Sequence, residues 1–262
     1  MPKRGLSQEG LKMIACVTML LDHIGAVIVL NCFYGAATAE KAAWAELYEM
    51  LRTVGRLAFP IYCFLLAEGV FRTRNPRKYG LRLLIGMLLA EIPFDLAFYG
   101  GINWESQSVM VTLLLGFAML ELMNLSPNLT VKLLLILPFS LLAEGMGTDY
   151  GAMGIHAIAV FALSREWKWK ALWQALLLWF VFSPNHLMMF NWLDGFTFSL
   201  QELAVFAVVP IALYSGKKAT GSKALQWGFY LFYPVHLMIL YLISVFYEKP
   251  PGGFSRRSLF TH

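Results

Sequence analysis

Apolar residues in this chain gather into long runs separated by short polar stretches, and about twenty such residues in a row are what a helix needs to cross a bilayer. Runs of this kind cover residues 11–31, 57–72, 80–99, 107–124, 129–146, 151–164, 169–186, 197–215 and 227–247. The pattern predicts an all-α protein, a polytopic membrane bundle of about nine transmembrane helices. Between the first two runs, residues 36–56 mix Ala, Trp and Leu with Glu40, Lys41, Glu46, Glu49 and Arg52. That mixture predicts an amphipathic helix lying on the membrane surface. Residues 1–247 read as a single integral membrane domain, and residues 248–262, rich in Pro, Gly and Arg, read as a flexible tail.

Composition strengthens the membrane assignment. Of 262 residues, 58% are hydrophobic and only 14% are charged, against about one charged residue in four for a soluble domain. The net charge of +5 is unevenly placed. Arg72, Arg74, Arg77, Lys78 and Arg82, then Arg165, Lys168 and Lys170, then Lys217, Lys218 and Lys223 fall on one side of the expected alternation. The loops at 100–106, 147–150 and 187–196 carry neither Lys nor Arg. This bias predicts a multi-pass protein of the cytoplasmic membrane with its N-terminus inside. Lys41, Arg52, Arg56 and the basic residues of the tail run against it. A basic stripe interleaved with aromatics is absent, so nucleic acid is not an expected partner.

The first run, GLKMIACVTMLLDHIGAVIVL from Gly10, could serve as a signal peptide only if a signal tolerated Asp22 and His23 in its apolar region, so it is expected to be retained. A charge in mid-membrane costs roughly 3 kcal/mol even on lenient insertion scales. Asp22 and His23 must therefore face protein or water. Lys12 lies eleven residues before His23, which places both on nearly the same helix face, about 16 Å apart along the axis. A structural reading makes the pair interhelical glue; a functional one makes His23 a base or nucleophile.

Further polar residues sit in later runs. Glu91 and Asp95, in AEIPFDLAFYG, are four apart and share a helix face, with Arg56 the nearest cation by expected depth. They read equally as a bracing network or as catalytic acids, and depth lets them converge with His23. Asp22 points about 100° away from its neighbour, so another helix is expected to supply the carboxylate that orients the imidazole. His236 follows Tyr233 and Pro234, where a kink would turn both rings inward. His156 and His186 read as satisfied polar residues, and His262 lies in the tail. Glu68 and Arg72 fit a helix-end ion pair. Cys16, Cys32 and Cys63 lack ligand spacing and read as packing residues, and no metal is expected. The P-loop, dinucleotide and nucleophile-elbow motifs of soluble enzymes are missing.

The blocks GLKMIACVTMLLDHIGAV, GRLAFPIYCFLLAEG, EIPFDLAFYG and FYPVHL, in this order from first to last run, resemble the TraX family of bacterial membrane proteins. That family is named for acetylation of the amino terminus of F-pilin. The Lys-to-His arrangement of the first run is also similar to that of larger integral membrane acyltransferases that use acyl-CoA. The resemblance implies an acetyltransferase with acetyl-CoA as donor and no metal. Its acceptor would be an extracytoplasmic amine or hydroxyl on a peptide amino terminus, a glycan or a lipid. Carried to this sequence, it implies His23, Asp22, Glu91 and Asp95 as catalytic candidates, and Lys12, Arg56, Arg77, Lys78, Arg82 and His236 as substrate-binding ones. Direct transfer and an acyl-histidine intermediate stay open, as does oligomeric state. The alternatives are a proton-coupled transporter with His23, Glu91 and Asp95 as relay, and a non-catalytic assembly factor.

Overall fold

The computed structural model describes residues 5–183, 200–217 and 222–247. His186, His262, the loop at 187–196 and the tail after Tyr247 lie outside them. The described residues are helical, in keeping with the all-α expectation. In order they form α1 (Gln8–Ile24), α2 (Leu30–Gly35), α3 (Lys41–Gly55), α4 (Ala58–Arg72), α5 (Pro76–Tyr99), α6 (Val109–Asn124), α7 (Leu129–Gly145), α8 (Gly151–Leu163), α9 (Lys170–Phe182), α10 (Val208–Ala212) and α11 (Lys223–Tyr247). A helix occupies each of the expected apolar runs, though the eighth is a 3₁₀ stretch, Leu200–Ala207, that leads into the short α10.

Among the described residues, three helical stretches are long and apolar enough to cross a membrane: Gln8–Gly35, Lys41–Arg72 and Trp227–Phe246. Outward-facing side chains such as Leu88, Leu134 and Val235 are 61%, 66% and 50% exposed, while Thr112, Ser164 and Gln174 are buried inside. An outer face this apolar, around a core that is apolar with a few enclosed polar side chains, is what lipid rather than water selects.

α1 begins where Ser7 caps it, its hydroxyl accepting the Gly10 N–H at 3.1 Å. Directly after Asp22 and His23 the helix widens into a π turn, Gly25–Val29, before resuming as α2. Such π bulges recur beside functional side chains. α4 lies at the centre, packed on α1, α6 and α8, with Phe59, Ile61 and Cys63 in the core. α11 packs along α5 and α1.

The amphipathic helix expected over 36–56 is present as α3, buried only at Gly55, and it leans on the bundle rather than standing apart from it. α3 runs on toward α4 with only Arg56 and Leu57 between them, and it packs on α1. Arg52 of α3 meets the half-buried carboxylate of Asp22, which fastens the helix to α1.

Candidate functional site

A cavity of about 420 Å³ runs between α1, α4, α5, α6 and α11. One end is lined by Lys12, Arg72, Tyr79, Arg82, Phe229 and Tyr230; the other reaches Asp22, His23, Asp149, Tyr150 and Tyr233. The first end is basic and aromatic. Lys12 Nζ lies 5.3 Å from the Phe229 ring, and the Arg82 guanidinium lies 5.8 Å from Tyr79 and 5.9 Å from Tyr230. Such rings hold cations in place while leaving their charge for an anionic ligand.

At the other end, the partner of His23 is a second histidine, not the expected carboxylate. His23 Nδ1 is 2.6 Å from His236 Nε2, and His236 Nδ1 is 2.6 Å from the Phe232 carbonyl. A carbonyl only accepts, so the bonding network assigns a proton to His236 Nδ1 and leaves its Nε2 as acceptor. His23 then donates from Nδ1, which puts a lone pair on its Nε2. No hydrogen bond engages that nitrogen among the described residues. Phe98 and Tyr233 contact the His23 ring edge-on, with centroids 5.5 and 5.9 Å away. His236 does not line the cavity; it holds the His23 ring from behind.

Asp22 is held by two arginines, Arg52 from the last turn of α3 and Arg56 from the α3–α4 turn. Arg52 Nη1 lies 2.5 Å from Oδ2, and Arg56 Nη2 lies 3.0 Å from Oδ1. Arg56 is further fixed by Gln201 Oε1 at 2.8 Å and the Arg52 carbonyl at 3.3 Å. The depth-based pairing of Arg56 with Glu91 and Asp95 is thus corrected. Gly55 makes the contact possible, because a Cβ there would overlap the Asp22 side chain. With both oxygens engaged, Asp22 anchors α3 to α1 beside His23.

Glu91 and Asp95 do not converge with His23. Glu91 accepts from the Ser108 hydroxyl at 2.5 Å and from the Ser108 N–H at 3.2 Å, where α6 begins, and Asp95 accepts from the Asn103 N–H at 3.0 Å. Carboxylates suit the unpaired N–H groups at a helix start and in a tight loop, and those groups were nearer than the cavity. Neither lines the cavity. Nor do Arg77 and Lys78, which face outward, whereas Lys12 and Arg82 do line it. His156 Nε2 lies 3.1 Å from the Ser140 hydroxyl, which itself donates to the Ile136 carbonyl at 2.8 Å, so the pair links α7 to α8. Among the described residues no three His, Cys, Asp or Glu side chains gather as a metal site requires.

Two residues outside the expected site set belong to the cavity: Arg72, expected only as a topological cation and helix-end partner, and Asp149, which the sequence did not single out. Arg72 forms the expected pair with Glu68 at 2.5 Å, yet it also lines the basic end and donates to the Gly216 carbonyl at 2.6 Å. Asp149 comes from the α7–α8 loop. Its N–H donates to the Gln107 carbonyl at 2.8 Å and its carbonyl accepts from Thr112, so the part exposed to the cavity is the carboxylate. Enclosure by the surrounding protein, with the carboxylate open only to the cavity, lifts that carboxyl to about 6, against the pull of Arg56 and Arg52. Tyr150 follows with φ +67°, a left-handed conformation unusual for a non-glycine residue, and it is held by stacking on Phe59 with centroids 3.7 Å apart. The signal for this loop was its Gly147-Thr148-Asp149-Tyr150-Gly151 string, an acid bracketed by glycines.

Comparison with known proteins fits this arrangement to a family. A family model described as TraX protein matches residues 7–244. The chain belongs to the TraX family. The match spans every element that lines the cavity of this TraX-family protein. The chain is also similar to the probable fimbrial assembly protein FimC, serogroup H1, of Dichelobacter nodosus: 29% identical over 253 residues, covering 91% of this chain and 96% of that one. No solved structure matches.

Proposed function

We propose that this protein is a membrane-bound acyltransferase that takes an acyl group from acyl-CoA, with acetyl-CoA the expected donor, and passes it to an amine or hydroxyl. One observation carries the reading: a single cavity joins a basic, aromatic end to an imidazole whose Nε2 is free. The nucleotide phosphates of the donor suit Lys12, Arg72 and Arg82. From Lys12 to His23 the helix rises about 16 Å, a length suited to a pantetheine arm. The thioester then lies beside His23.

In direct transfer, Nε2 takes the proton of the acceptor's N–H or O–H as that atom attacks the thioester carbon. The new C–N or C–O bond forms and the C–S bond breaks. The departing thiolate takes the proton back from the imidazolium, giving the acylated acceptor and free CoA thiol. An acceptor that arrives as an ammonium first releases one further proton to water. An acyl-histidine route would use the same nitrogen as nucleophile.

Positive-inside bias supports a cytoplasmic-membrane protein whose basic end faces the donor's compartment. The acceptor then approaches Asp149 and Tyr150 from the far side. The name of the FimC relative makes a surface-filament subunit the first acceptor to test. A proton relay through His23, Glu91 and Asp95 has less support, since both acids are engaged with loop backbone away from the cavity.

The deciding experiment incubates purified protein with labelled acetyl-CoA. Thiol release, self-acylation or transfer to a peptide amine, abolished in His23→Ala, is the expected result. None of these in the wild type, together with proton-linked uptake in vesicles, would overturn the reading in favour of transport.

A further inference from the structure

The loop that joins α8 to α9, Ser164–Lys170, spells Ser-Arg-Glu-Trp-Lys-Trp-Lys, and none of its residues lines the cavity. Trp167, Trp169 and Trp173 are 45%, 72% and 46% exposed. Trp167 and Trp173 meet edge to face with centroids 6.2 Å apart. With Arg165, Glu166, Lys170, Ala171 and Leu172, the indoles of Trp167 and Trp169 line a shallow open groove, and Lys168 stands between the two indoles in sequence without lining it. Arg165 and Glu166 offset each other, since Arg165 lies 3.6 Å from both Glu68 and Glu166 and 4.6 Å from the Phe71 ring. Lys168 and Lys170 are exposed, and among the described residues neither has a carboxylate partner.

Two features of the groove point to its ligand. Trp169 sits at φ +62°, a conformation that favours glycine, so the backbone carries strain where the most exposed indole is displayed. Below the groove, Leu172, Leu176 and Phe180 follow one another down the outer side of α9, 57%, 49% and 60% exposed. The site thus offers the Lys170 ammonium in the groove, an exposed Lys168 in the adjoining loop, indoles beside them and an apolar stripe beneath. Indoles favour the level of lipid headgroups, where one side is apolar and the other wet.

We propose that this groove holds a phospholipid with an anionic headgroup. Its phosphate lies against Lys168 and Lys170, its glycerol region beside the indoles, and one acyl chain along the stripe of α9. A free phosphate would use only the ammonium groups. A zwitterionic lipid would set its own quaternary ammonium beside the two lysines, which repel it.

Native mass spectrometry of the detergent-solubilised full chain tests this, with phosphatidylglycerol or phosphatidylcholine of identical acyl chains as probe. The wild type should retain phosphatidylglycerol preferentially. Each lysine is worth about fivefold at low ionic strength, so Lys168→Gln with Lys170→Gln should lower that retention roughly 25-fold. Arg77→Gln with Lys78→Gln, which removes two exposed cations elsewhere, should leave it intact. Trp169→Gly relieves the backbone and removes the indole, so it should keep or raise the melting temperature while retention falls. Equal retention of both lipids by the wild type would overturn the proposal, as would a preference that survives the paired lysine change. Displacement of the lipid by millimolar glycerol phosphate would also overturn it, by assigning the groove to a soluble anion.

Discussion

His236→Phe is the substitution that isolates what the histidine pair does. Phenylalanine keeps a ring of similar size between Phe232 and His23, but it cannot accept a hydrogen bond. The Nδ1–H of His23, now facing His236 Nε2 at 2.6 Å, would be left buried without a partner. An unsatisfied buried donor costs about 1–3 kcal/mol, and the ring can recover this by rotating away or by adopting the other tautomer. Either response removes the lone pair from the cavity. At about 1.4 kcal/mol per decade, turnover should fall between about fivefold and a hundredfold. The KM for acyl-CoA should stay within about twofold, because His236 does not line the cavity. His236→Gln, whose amide oxygen accepts, should recover part of the loss. In His23→Ala the partner no longer matters, so adding His236→Phe should cost nothing further. Thiol release from acetyl-CoA by protein in nanodiscs provides the assay. A His236→Phe protein with wild-type turnover would refute the coupling.

Arg82→Ala should raise the KM for acyl-CoA on the order of tenfold, the worth of a charged contact to phosphate, while Arg77→Ala and Lys78→Ala leave it unchanged; equal effects at all three would remove the cavity's claim on the donor. Glu91→Ala should lower stability by about 1 kcal/mol, as loss of a helix-start acceptor does, with turnover preserved in the folded fraction. Lost turnover at unchanged melting temperature would instead give Glu91 a direct part in the chemistry. Asp149 binds its proton more tightly folded than unfolded, because enclosure by the protein raises its carboxyl from 3.8 to about 6. Its contribution is therefore most favourable below pH 4 and is lost as pH rises toward 6. The melting temperature of the wild type should decline across that interval relative to Asp149→Asn, and parallel melting curves would contradict the assignment.

Much of the architecture could be read along the chain because membrane spans announce themselves locally: an apolar run of sufficient length must become a helix wherever it meets lipid. The same rule singled out Lys12 and His23, since a charged or titratable group inside such a run has only protein or water to face. Family membership followed from short blocks in fixed order. Pairing is a different matter. Glu91 and Asp95 share a face, and depth alone let them meet His23, but side chains bond to the nearest unsatisfied group. For these acids that was the backbone of the 100–108 loop and the start of α6. Arg56 turned to Asp22 because Gly55 lets the α3–α4 turn approach α1, a fit that depends on a missing Cβ and leaves no trace in hydropathy. His236 is 213 residues from His23, and only the packing of α11 on α1 brings its ring to the right nitrogen. Asp149 lay in a short loop with no cation to advertise it, and it became part of the cavity because Gln107 and Thr112 hold its backbone and turn its carboxylate inward.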